Sequence, residues 1–449
     1  MEKKPTKTTS PNTPIVSKVL SDETLVELLY DPEEKQTAFA VWKDGTWKKK
    51  KAFDEAGHHY VPYSPNNNLL RNDVVLFPSE PADYGTEKEL VDEVRAFIHR
   101  YVDLSKNFER IAAYYVLFTW LYDNFNELPY LRLRGEYGSG KTRFLLTVGS
   151  LCNKPVFASG ASTVSPIFHI LDSFGGTLII DEADFRFSDE KSDIVKILNN
   201  GNVRGLPILR TEVNKAREFN PRAFHVFGPK IIASRGKYDD RALESRFITE
   251  ETGGRELRKD IPINLPSEYK EEALQLRNKL LMYRFHNYGK FKPSEAFVDR
   301  SIEPRLNQIF VPLLSIISND ELRKELGNIA KQYHGEHIVE RGFDEAAEAL
   351  AVIRHLISSS NNKTVPIKDI TKLLNKKYES EGEQTISGKR VGFLVRQKLQ
   401  LKTQKSHGTY IIPKSEYPRL ERLYEQYGIT DDDSNELSSL KLNTTDIAW

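Results

Sequence analysis

The stretch that decides the fold is Tyr130-Leu-Arg-Leu-Arg-Gly-Glu-Tyr-Gly-Ser-Gly-Lys-Thr142, in which an alternating strand runs into a glycine-rich loop. The loop has the spacing of a phosphate-binding loop, and the apolar run at 144–148 predicts the helix that such a loop opens. Glycines let the backbone approach a phosphate closely, and the N–H groups at a helix N-terminus attract its negative charge. The stretch therefore predicts a nucleotide site rather than an ordinary glycine-rich turn.

The residues of this loop have separate expected roles. Lys141 is expected to reach the outer phosphates of a nucleotide, and the hydroxyl of Thr142 is expected to ligate Mg²⁺. The cofactors predicted from the loop are therefore ATP and Mg²⁺. The residues predicted to surround the phosphates are Gly135, Glu136, Tyr137, Gly138, Ser139, Gly140, Lys141 and Thr142.

A second apolar strand, Thr177-Leu-Ile-Ile-Asp-Glu-Ala-Asp184, ends in adjacent carboxylates. The carboxyl end of a parallel strand points toward a bound nucleotide. We therefore expect Asp181 to hold the Mg²⁺ shell and Glu182 to orient and deprotonate the attacking water. The motif Asp181-Glu-Ala-Asp184 also occurs in DEAD-box helicases, but a single core of about 180 residues does not supply the tandem domains of those proteins.

Composition limits the class of protein. The chain has 449 residues and balances 65 Lys and Arg against 64 Asp and Glu, so any nucleic-acid affinity must come from local basic faces. Its single cysteine, Cys152, excludes a disulfide framework and indicates a reducing compartment. The longest apolar run, Ile111 to Leu121, is too short to cross a bilayer. We expect a cytoplasmic protein, nucleoid-associated in a prokaryotic host, with no membrane partner.

Changes in pattern along the chain predict several domains. A short helix is expected at Ser21 to Tyr30, followed by a hairpin that turns at Asp44-Gly45. Lysines 48–51 on its second strand indicate either a solvated edge strand or a contact with nucleic acid. The predicted divisions are a disordered tail (1–14), a small N-terminal β-rich domain (15–85), an ATPase core with leading helices and lid (86–335), a basic domain (343–413), and a C-terminal helix with an acidic tail (414–449).

A basic β-hairpin is predicted between the acidic strand and the next buried strand. Its strands are expected at 208–213 and 224–227, with Lys215 and Arg217 at the tip. Arg210 and Arg222 would lie on its arms. Such a hairpin is either surface decoration or a finger that contacts phosphates.

The basic domain is predicted from the order helix, strand, helix, helix and two strands, which is that of a winged helix. Residues 363–405 carry eleven Lys and Arg against four Asp and Glu. This charge suits the groove and phosphates of duplex DNA, although winged helices also bind proteins. The candidate DNA contacts are Lys389, Arg390, Arg396 and Lys398 on the third helix and Lys402, Lys405 and His407 on the wing.

Taken together, these motifs resemble those of AAA+ ATPases, most closely MCM-like replicative helicases in the reduced forms carried by mobile genetic elements. The motifs that carry the resemblance are the phosphate loop, the acidic strand Ile179-Ile-Asp-Glu182, Ser234 at the end of a buried strand, Leu243-Glu-Ser-Arg-Phe247, the hairpin and the winged-helix pattern. The resemblance implies an α/β fold: an AAA+ P-loop ATPase core with an α-helical lid, a small N-terminal α+β domain and a C-terminal winged helix.

The resemblance also implies roles for residues outside the loop. Ser234 would be the first sensor of the γ-phosphate. Arg246, with Arg241 in reserve, would be an arginine finger that acts on the nucleotide of a neighbouring subunit. Arg305 would open a lid helix and face back toward its own nucleotide as a second sensor, unless it only pairs with Glu303.

The function implied is an ATP-dependent DNA helicase in replication of a chromosome or mobile element. It would assemble as a homo-hexamer that threads one DNA strand past the hairpin tips, with duplex at the winged helix. Ile248 stands where the family usually has Asp, and Ser234 where it usually has Asn. Two alternatives stay open: a DNA-bound initiator or loader that switches with ATP without unwinding, and an ATPase that remodels proteins.

Overall fold

The structure is a computed structural model that describes residues 12–181, 189–213, 219–238, 240–252, 258–342, 345–359, 364–381, 385–406 and 408–430. The chain divides into two compact units, Met1–Gly327 and Asn328–Trp449. Four residues with predicted roles lie outside the described residues: Lys215 and Arg217 at the hairpin tip, the general base Glu182 and the wing residue His407.

The first unit begins with short strands in two sheets. The order β2-β3-β4-β5 forms an antiparallel sheet, and β1-β7-β6 forms a second sheet. The elements are β1 (Asn12–Ile15), β2 (Ser17–Val19), β3 (Leu25–Asp31), β4 (Gln36–Lys43), β5 (Thr46–Lys50), β6 (Phe53–Glu55), β7 (His58–Pro62) and the short helix α1 (Asn68–Arg71).

The predicted hairpin is confirmed, whereas the predicted helix at 21–30 is wrong. Asp44 and Gly45 both have positive φ, 51° and 77°, as a two-residue hairpin turn requires. The supposed helix is strand β3, which is buried on both faces and pairs with β4 along its whole length. An apolar run of this kind has no period that separates a buried strand from a helix. Strand β5 lies at the sheet edge with Lys48, Lys49 and Lys50 exposed, which favours the solvated alternative.

A five-stranded parallel sheet follows, in the order β14-β8-β13-β10-β9. The strand that ends at Ser234 therefore lies between the strand of the glycine loop and the strand that ends at Asp181. The elements are α2 (Glu87–Tyr101), α3 (Lys106–Thr119), β8 (Tyr130–Arg134), α4 (Lys141–Gly149), β9 (Pro155–Ala158), α5 (Val164–Phe174), β10 (Thr177–Ile180), α6 (Asp189–Asn200), β11 (Ile208–Val213), β12 (Phe219–Phe224), β13 (Lys230–Ser234), α7 (Arg241–Glu244) and β14 (Phe247–Glu251).

The rest of the first unit is helical. Its helices are α8 (Tyr269–Asn287) and α9 (Pro304–Ile316), and α10 (Asp320–Gly342) begins in this unit and ends in the second. The N-terminal sheet shares one hydrophobic core with the parallel sheet, since Phe39 and Val75 belong to the same buried cluster as Val156 and Phe174. Within the described ranges, no helix combines the length and apolar composition needed to cross a membrane.

A buried cluster of charges joins helix α8 to the start of the chain. The guanidinium of Arg284, 2% exposed, donates to Glu27 Oε1 at 2.7 Å and to both carboxylate oxygens of Asp123 at 2.8 and 2.7 Å. Lys154 Nζ lies 3.8 Å from Glu27 Oε2. Burial raises the pKa of the Asp123 carboxyl, but Arg284 outweighs it and holds that pKa below its ordinary value. Arg284, Glu27 and Lys154 are buried and depend on their partners, whereas the side chain of Asp123 is 24% exposed.

We expect Arg284→Met to lower the free energy of unfolding by about 3 to 5 kcal/mol, because buried Glu27 would keep only Lys154, 3.8 Å away, and Asp123 would lose both of its bonds to Arg284. Lys279→Ala is the matched control on the same helix. Its partner Glu93, 2.6 Å away, is exposed, so we expect a loss within about 1 kcal/mol. Urea unfolding of both variants measures the difference. Equal losses would show that the buried cluster contributes no more than a surface pair.

The second unit has the predicted order of helix, strand, helix, helix and two strands. Its antiparallel sheet has the order β15-β17-β16. The last strand pair begins at Gln404, and Leu401 before it is buried in the core of this unit. The elements are α11 (Glu345–Ser359), β15 (Thr364–Pro366), α12 (Ile367–Glu381), α13 (Gly388–Phe393) with a π-helical turn (Leu394–Lys398), β16 (Gln404–Ser406), β17 (Thr409–Pro413) and α14 (Tyr417–Tyr427).

Candidate nucleotide site

The glycine loop connects β8 to α4 and needs its glycines for specific reasons. Gly138 and Gly140 have φ of 76° and 83°, and Gly140 is the residue directly before the helix. At Gly135 an added Cβ would overlap the hydroxyl of Thr252. The backbone N–H of Gly135 donates to the carbonyl of Ser234 at 3.1 Å, which fixes the start of the loop to β13. The loop thus exposes backbone N–H groups at a helix N-terminus, the arrangement that binds phosphate.

Lys141 and Thr142 occupy the mouth of this loop. Lys141 Nζ donates to the carbonyls of Gly135 and Glu136, both at 2.7 Å, so the ammonium lies over the loop. Thr142 Oγ1 donates to Asp181 Oδ2 at 2.7 Å. The sheet order makes this contact possible, because β8 and β10 both end at this edge. Sequence motifs 39 residues apart are thereby brought together.

The pair formed by Thr142 and Asp181 fits the requirements of Mg²⁺. One hydroxyl and one carboxylate oxygen are adjacent, and Mg²⁺ in nucleotide sites takes one or two protein oxygens, with waters and phosphate oxygens as the others. Thr142 and Asp181 are the residues that would hold the ion. When bound, the ion would neutralise charge on the phosphates.

Ser234 lies at the carboxyl end of β13, between the loop and Asp181. It is 1% exposed, its carbonyl accepts from Gly135, and its hydroxyl donates to the carbonyl of Gly236 at 3.1 Å. The predicted first sensor is therefore adjacent to the loop. In this structure its hydroxyl is satisfied by its own chain.

Arg246 lies at the opposite end of the sheet. Its carbonyl accepts from the N–H of Tyr130, which is the first residue of β8. The glycine loop begins at the other end of β8, after its last residue. The five residues of β8 span roughly 15 Å. The guanidinium donates to the side-chain oxygens of Asn199, at 2.7 Å, and Asn202, at 2.9 Å. Arg246 is thus held near the end of α6 and remote from the loop of its own chain.

The charge of Arg305 acts on Arg246 at this end, and its expected role as a second sensor at its own nucleotide stays a prediction. Burial lowers the pKa of Arg246, and the nearby charge of Arg305 lowers it further. Burial raises the pKa of Glu127, and Arg305 offsets part of that rise. Arg305 itself donates to Gln308 Oε1 at 2.8 Å.

Glu244 is a residue of this region that the sequence did not single out. Its carboxylate accepts from Arg132, which is 1% exposed, and also from the N–H of Tyr238 at 3.0 Å. Burial raises the pKa of Glu244, but the bonds from Arg132 outweigh it, so the pKa lies below its ordinary value. A charge inside an alternating strand predicts an exposed side chain. Here the buried pair of Arg132 and Glu244 connects β8 to the short helix α7, which precedes Arg246.

The arms of the hairpin formed by β11 and β12 are neutralised by acids. Arg210 and Arg222 face each other across the two strands. Arg210 pairs with Asp193 on α6, and Arg222 pairs with Asp172 on α5 at 3.1 Å. The arm cations therefore anchor the hairpin. Neither acid carries a sequence signal, since each is a lone carboxylate on a helix.

The candidate DNA contacts of the second unit are exposed. Lys389, Arg390, Arg396, Lys402 and Lys405 all present their side chains to solvent. Arg390 is the one of these five that forms an ion pair between described residues, with Glu345 of α11 at 2.9 Å.

Comparisons with known proteins find weak structural likenesses only. No protein-family model matches the chain, and no curated protein matches it. The apo structure of the NrS-1 C-terminal region is 12% identical, covering 86% of this chain and 96% of that one, with a TM-score of 0.37. JCV helicase is 14% identical over 55% of this chain and 66% of that one, with a TM-score of 0.23.

A third structure is Cdc6p from Pyrobaculum aerophilum, 14% identical over 77% of this chain and 98% of that one, with a TM-score of 0.21. Because all these TM-scores are low, the class of this protein is inferred from its own site. A glycine loop at a helix N-terminus, a lysine over its mouth and a hydroxyl bonded to a strand-end carboxylate together define a candidate site for a nucleoside triphosphate.

Proposed function

We propose that this protein is an ATP-dependent DNA helicase, an MCM-like AAA+ ring motor that acts in DNA replication of a chromosome or mobile element. The observation that carries the proposal is the division of the machinery between two ends of one sheet. Lys141, Thr142, Asp181 and Ser234 lie at the carboxyl end, and Arg246 lies at the amino end. A site divided in this way is complete only where two copies meet.

The division gives each residue a role in the proposed reaction. Lys141 and the loop N–H groups bind the phosphates, and Glu182 orients the water that attacks the γ-phosphoryl group and accepts its proton. Arg246 of one copy reaches the nucleotide of the next, where its charge stabilises the transferring group. Asn199 and Asn202 would keep its guanidinium oriented before assembly.

Arg305 is proposed to act at the same junction. After burial, its charge lowers the pKa of Arg246, while the carboxylate of Asp240 raises that pKa, so the two arginines and Asp240 lie in one charged region. The phosphates of a neighbouring copy would add a further anion to it. We propose that Arg305 assists Arg246 at the neighbour's nucleotide.

A head-to-tail contact of this kind closes into a ring when the rotation between copies allows it. A homo-hexamer is the proposed assembly, with the hairpin tips toward the central pore. Arg210 and Arg222 are already neutralised by acids, so Lys215 and Arg217 are the hairpin cations proposed to contact one DNA strand. Movement of these tips during hydrolysis would move the strand.

We expect the double variant Lys215→Ala and Arg217→Ala to keep its DNA-independent ATPase and to lose unwinding, because the site at the subunit junction stays intact while the strand contact is removed. Strand displacement on a forked duplex and ATP hydrolysis without DNA are the two measurements. Lys48→Ala with Lys49→Ala on the exposed edge strand removes the same charge elsewhere and should unwind normally.

The outcome also distinguishes the rival functions. A wild-type chain that binds DNA but displaces no strand at either polarity would be an initiator or loader switch. A wild-type chain whose ATPase is unaffected by DNA would be a candidate for remodelling proteins. Unwinding by the double variant at the wild-type rate would remove the hairpin from the mechanism.

A further inference from the structure

Two aromatic side chains of the second unit are exposed on its basic surface. Phe393 at the end of α13 is 47% exposed, and Tyr410 on strand β17 is 52% exposed. Among the described residues of this unit they are the large apolar side chains with substantial exposure. Their neighbours in sequence, Leu394 and Ile411, are buried, so the exposure of the two rings does not reflect incomplete packing of the core.

Cations surround both rings. Lys389 and Phe393 are four residues apart in α13 and so lie on one face of it, and Arg396 lies in the π-helical turn that follows. All three are exposed, whereas Val391 and Val395 between them are buried. This face continues onto the β-hairpin, where Tyr410 is paired directly with Lys405.

Arg396 joins the helix to the hairpin. Its Cζ lies 5.5 Å from the centroid of the Tyr410 ring, within the range of a cation–π contact. The guanidinium also lies over Gly392, where an added Cβ would come within 2.8 Å of Arg396 Nη2. Within the described part of the chain, Arg396 forms no ion pair. The helix thus leaves room for a flat cationic group that extends the Tyr410 ring.

The chemistry of this patch indicates its ligand. Bases in a duplex are stacked on one another and present only their edges in the grooves, so an exposed aromatic ring has no ring face to meet there. Unpaired bases present both faces, and they stack on aromatic side chains and on guanidinium planes. Lysines on either side supply the charge that the phosphates need. A polyanion suits this surface better than a protein, because residues 363–405 carry eleven basic against four acidic residues.

We propose that Phe393, Arg396 and Tyr410 form a stacking site for unpaired bases, so that the second unit binds single-stranded nucleic acid beside a duplex. The inference rests on the proposed function, since it takes DNA as the substrate, and it replaces a purely duplex contact at this unit. Lys389 and Lys405 contact the phosphates on either side of the stacked bases.

The site is tested by photo-cross-linking the full chain to forked DNA without ATP. One set of forks carries 5-iodouracil in the single-stranded arm near the junction, and a second set carries it in the duplex arm. The expected result is cross-linking of the single-stranded positions to Phe393 or Tyr410, identified by mass spectrometry. Cross-links from the duplex arm alone would overturn the proposal in favour of groove binding.

Affinity measurements supply a second test, made in the Lys215→Ala and Arg217→Ala background to remove the hairpin contribution. Tyr410→Ala should weaken binding of an oligothymidine by about 5- to 160-fold, the range for loss of one stacked base, and Tyr410→Phe should retain it. The slope of log K against log salt should stay unchanged in Tyr410→Ala and should become shallower by about 0.7 in Lys405→Ala. Unchanged affinity in Tyr410→Ala, with no cross-link, would overturn the proposal and point to a protein-binding surface.

These tests of the stacking site do not depend on helicase activity. A chain that cross-links through Tyr410 but unwinds no DNA would refute the helicase proposal and support the stacking site. A chain that unwinds normally and cross-links only to the duplex arm of the fork would support the helicase proposal and refute the stacking site. ATP hydrolysis without DNA should be the same in the Tyr410→Ala and wild-type proteins.

Discussion

Arg246→Ala is expected to lower the kcat of ATP hydrolysis by about 1,000-fold or more, the range known for loss of an arginine finger. The affinity for nucleotide should change little, because the loop that binds the phosphates lies at the other end of the sheet. Steady-state hydrolysis and binding of a fluorescent ATP analogue measure the two quantities separately.

The variant also loses its bonds to Asn199 and Asn202, so folding must be checked. Arg246→Lys is the matched variant: it keeps the charge but not the planar fork, and we expect an intermediate kcat. The melting temperature of both variants should lie within a few degrees of the wild-type value. A full loss of nucleotide binding in Arg246→Ala would indicate that Arg246 supports the fold and not the reaction.

Lys141→Ala is expected to abolish hydrolysis by removing nucleotide binding itself. Lys141 is the cation over the loop, and its ammonium already lies on the carbonyls of Gly135 and Glu136, where the phosphates would enter. Isothermal titration with ATP and Mg²⁺ measures the loss. Titration of the wild-type protein with ATP and chelator should show weaker binding, because Thr142 and Asp181 would then hold no ion.

Glu182→Gln is the companion variant, of nearly the same shape but without the charge. It should bind ATP as the wild-type protein does and fail to hydrolyse it, because an amide does not accept the proton of the attacking water. Turnover at the wild-type rate would remove Glu182 from that role. Binding by Lys141→Ala at wild-type affinity would remove the loop from the site.

The geometry of the candidate nucleotide site was largely predictable from sequence, and the reason is local. The spacing from Gly135 to Thr142 specifies a turn, a helix start and a cation within one short segment. The strand that ends at Asp181 was recognisable from its apolar run. The contact between Thr142 and Asp181 then follows from two parallel strands that end at the same edge.

Other features depend on pairing between distant segments, so a local pattern does not reveal them. Strand β3 looked helical because its apolar residues are buried on both faces. Strand β14 was missed because only its parallel pairing with β8 defines it. The electrostatic influence of Arg305 on Arg246 is likewise not evident from any local pattern. Arg132 and Glu244 form a buried pair that an alternating strand does not suggest.

The measurement that tests the central claim most directly is ATP hydrolysis by a mixture of Arg246→Ala and Lys141→Ala chains. Each variant alone should be inactive. In an equal mixture of freely exchanging rings, about one junction in four combines an intact loop with an intact arginine, so hydrolysis should return to roughly a quarter of the wild-type rate. No recovery in a mixture shown by size and cross-linking to contain both chains would contradict a site shared between neighbouring copies.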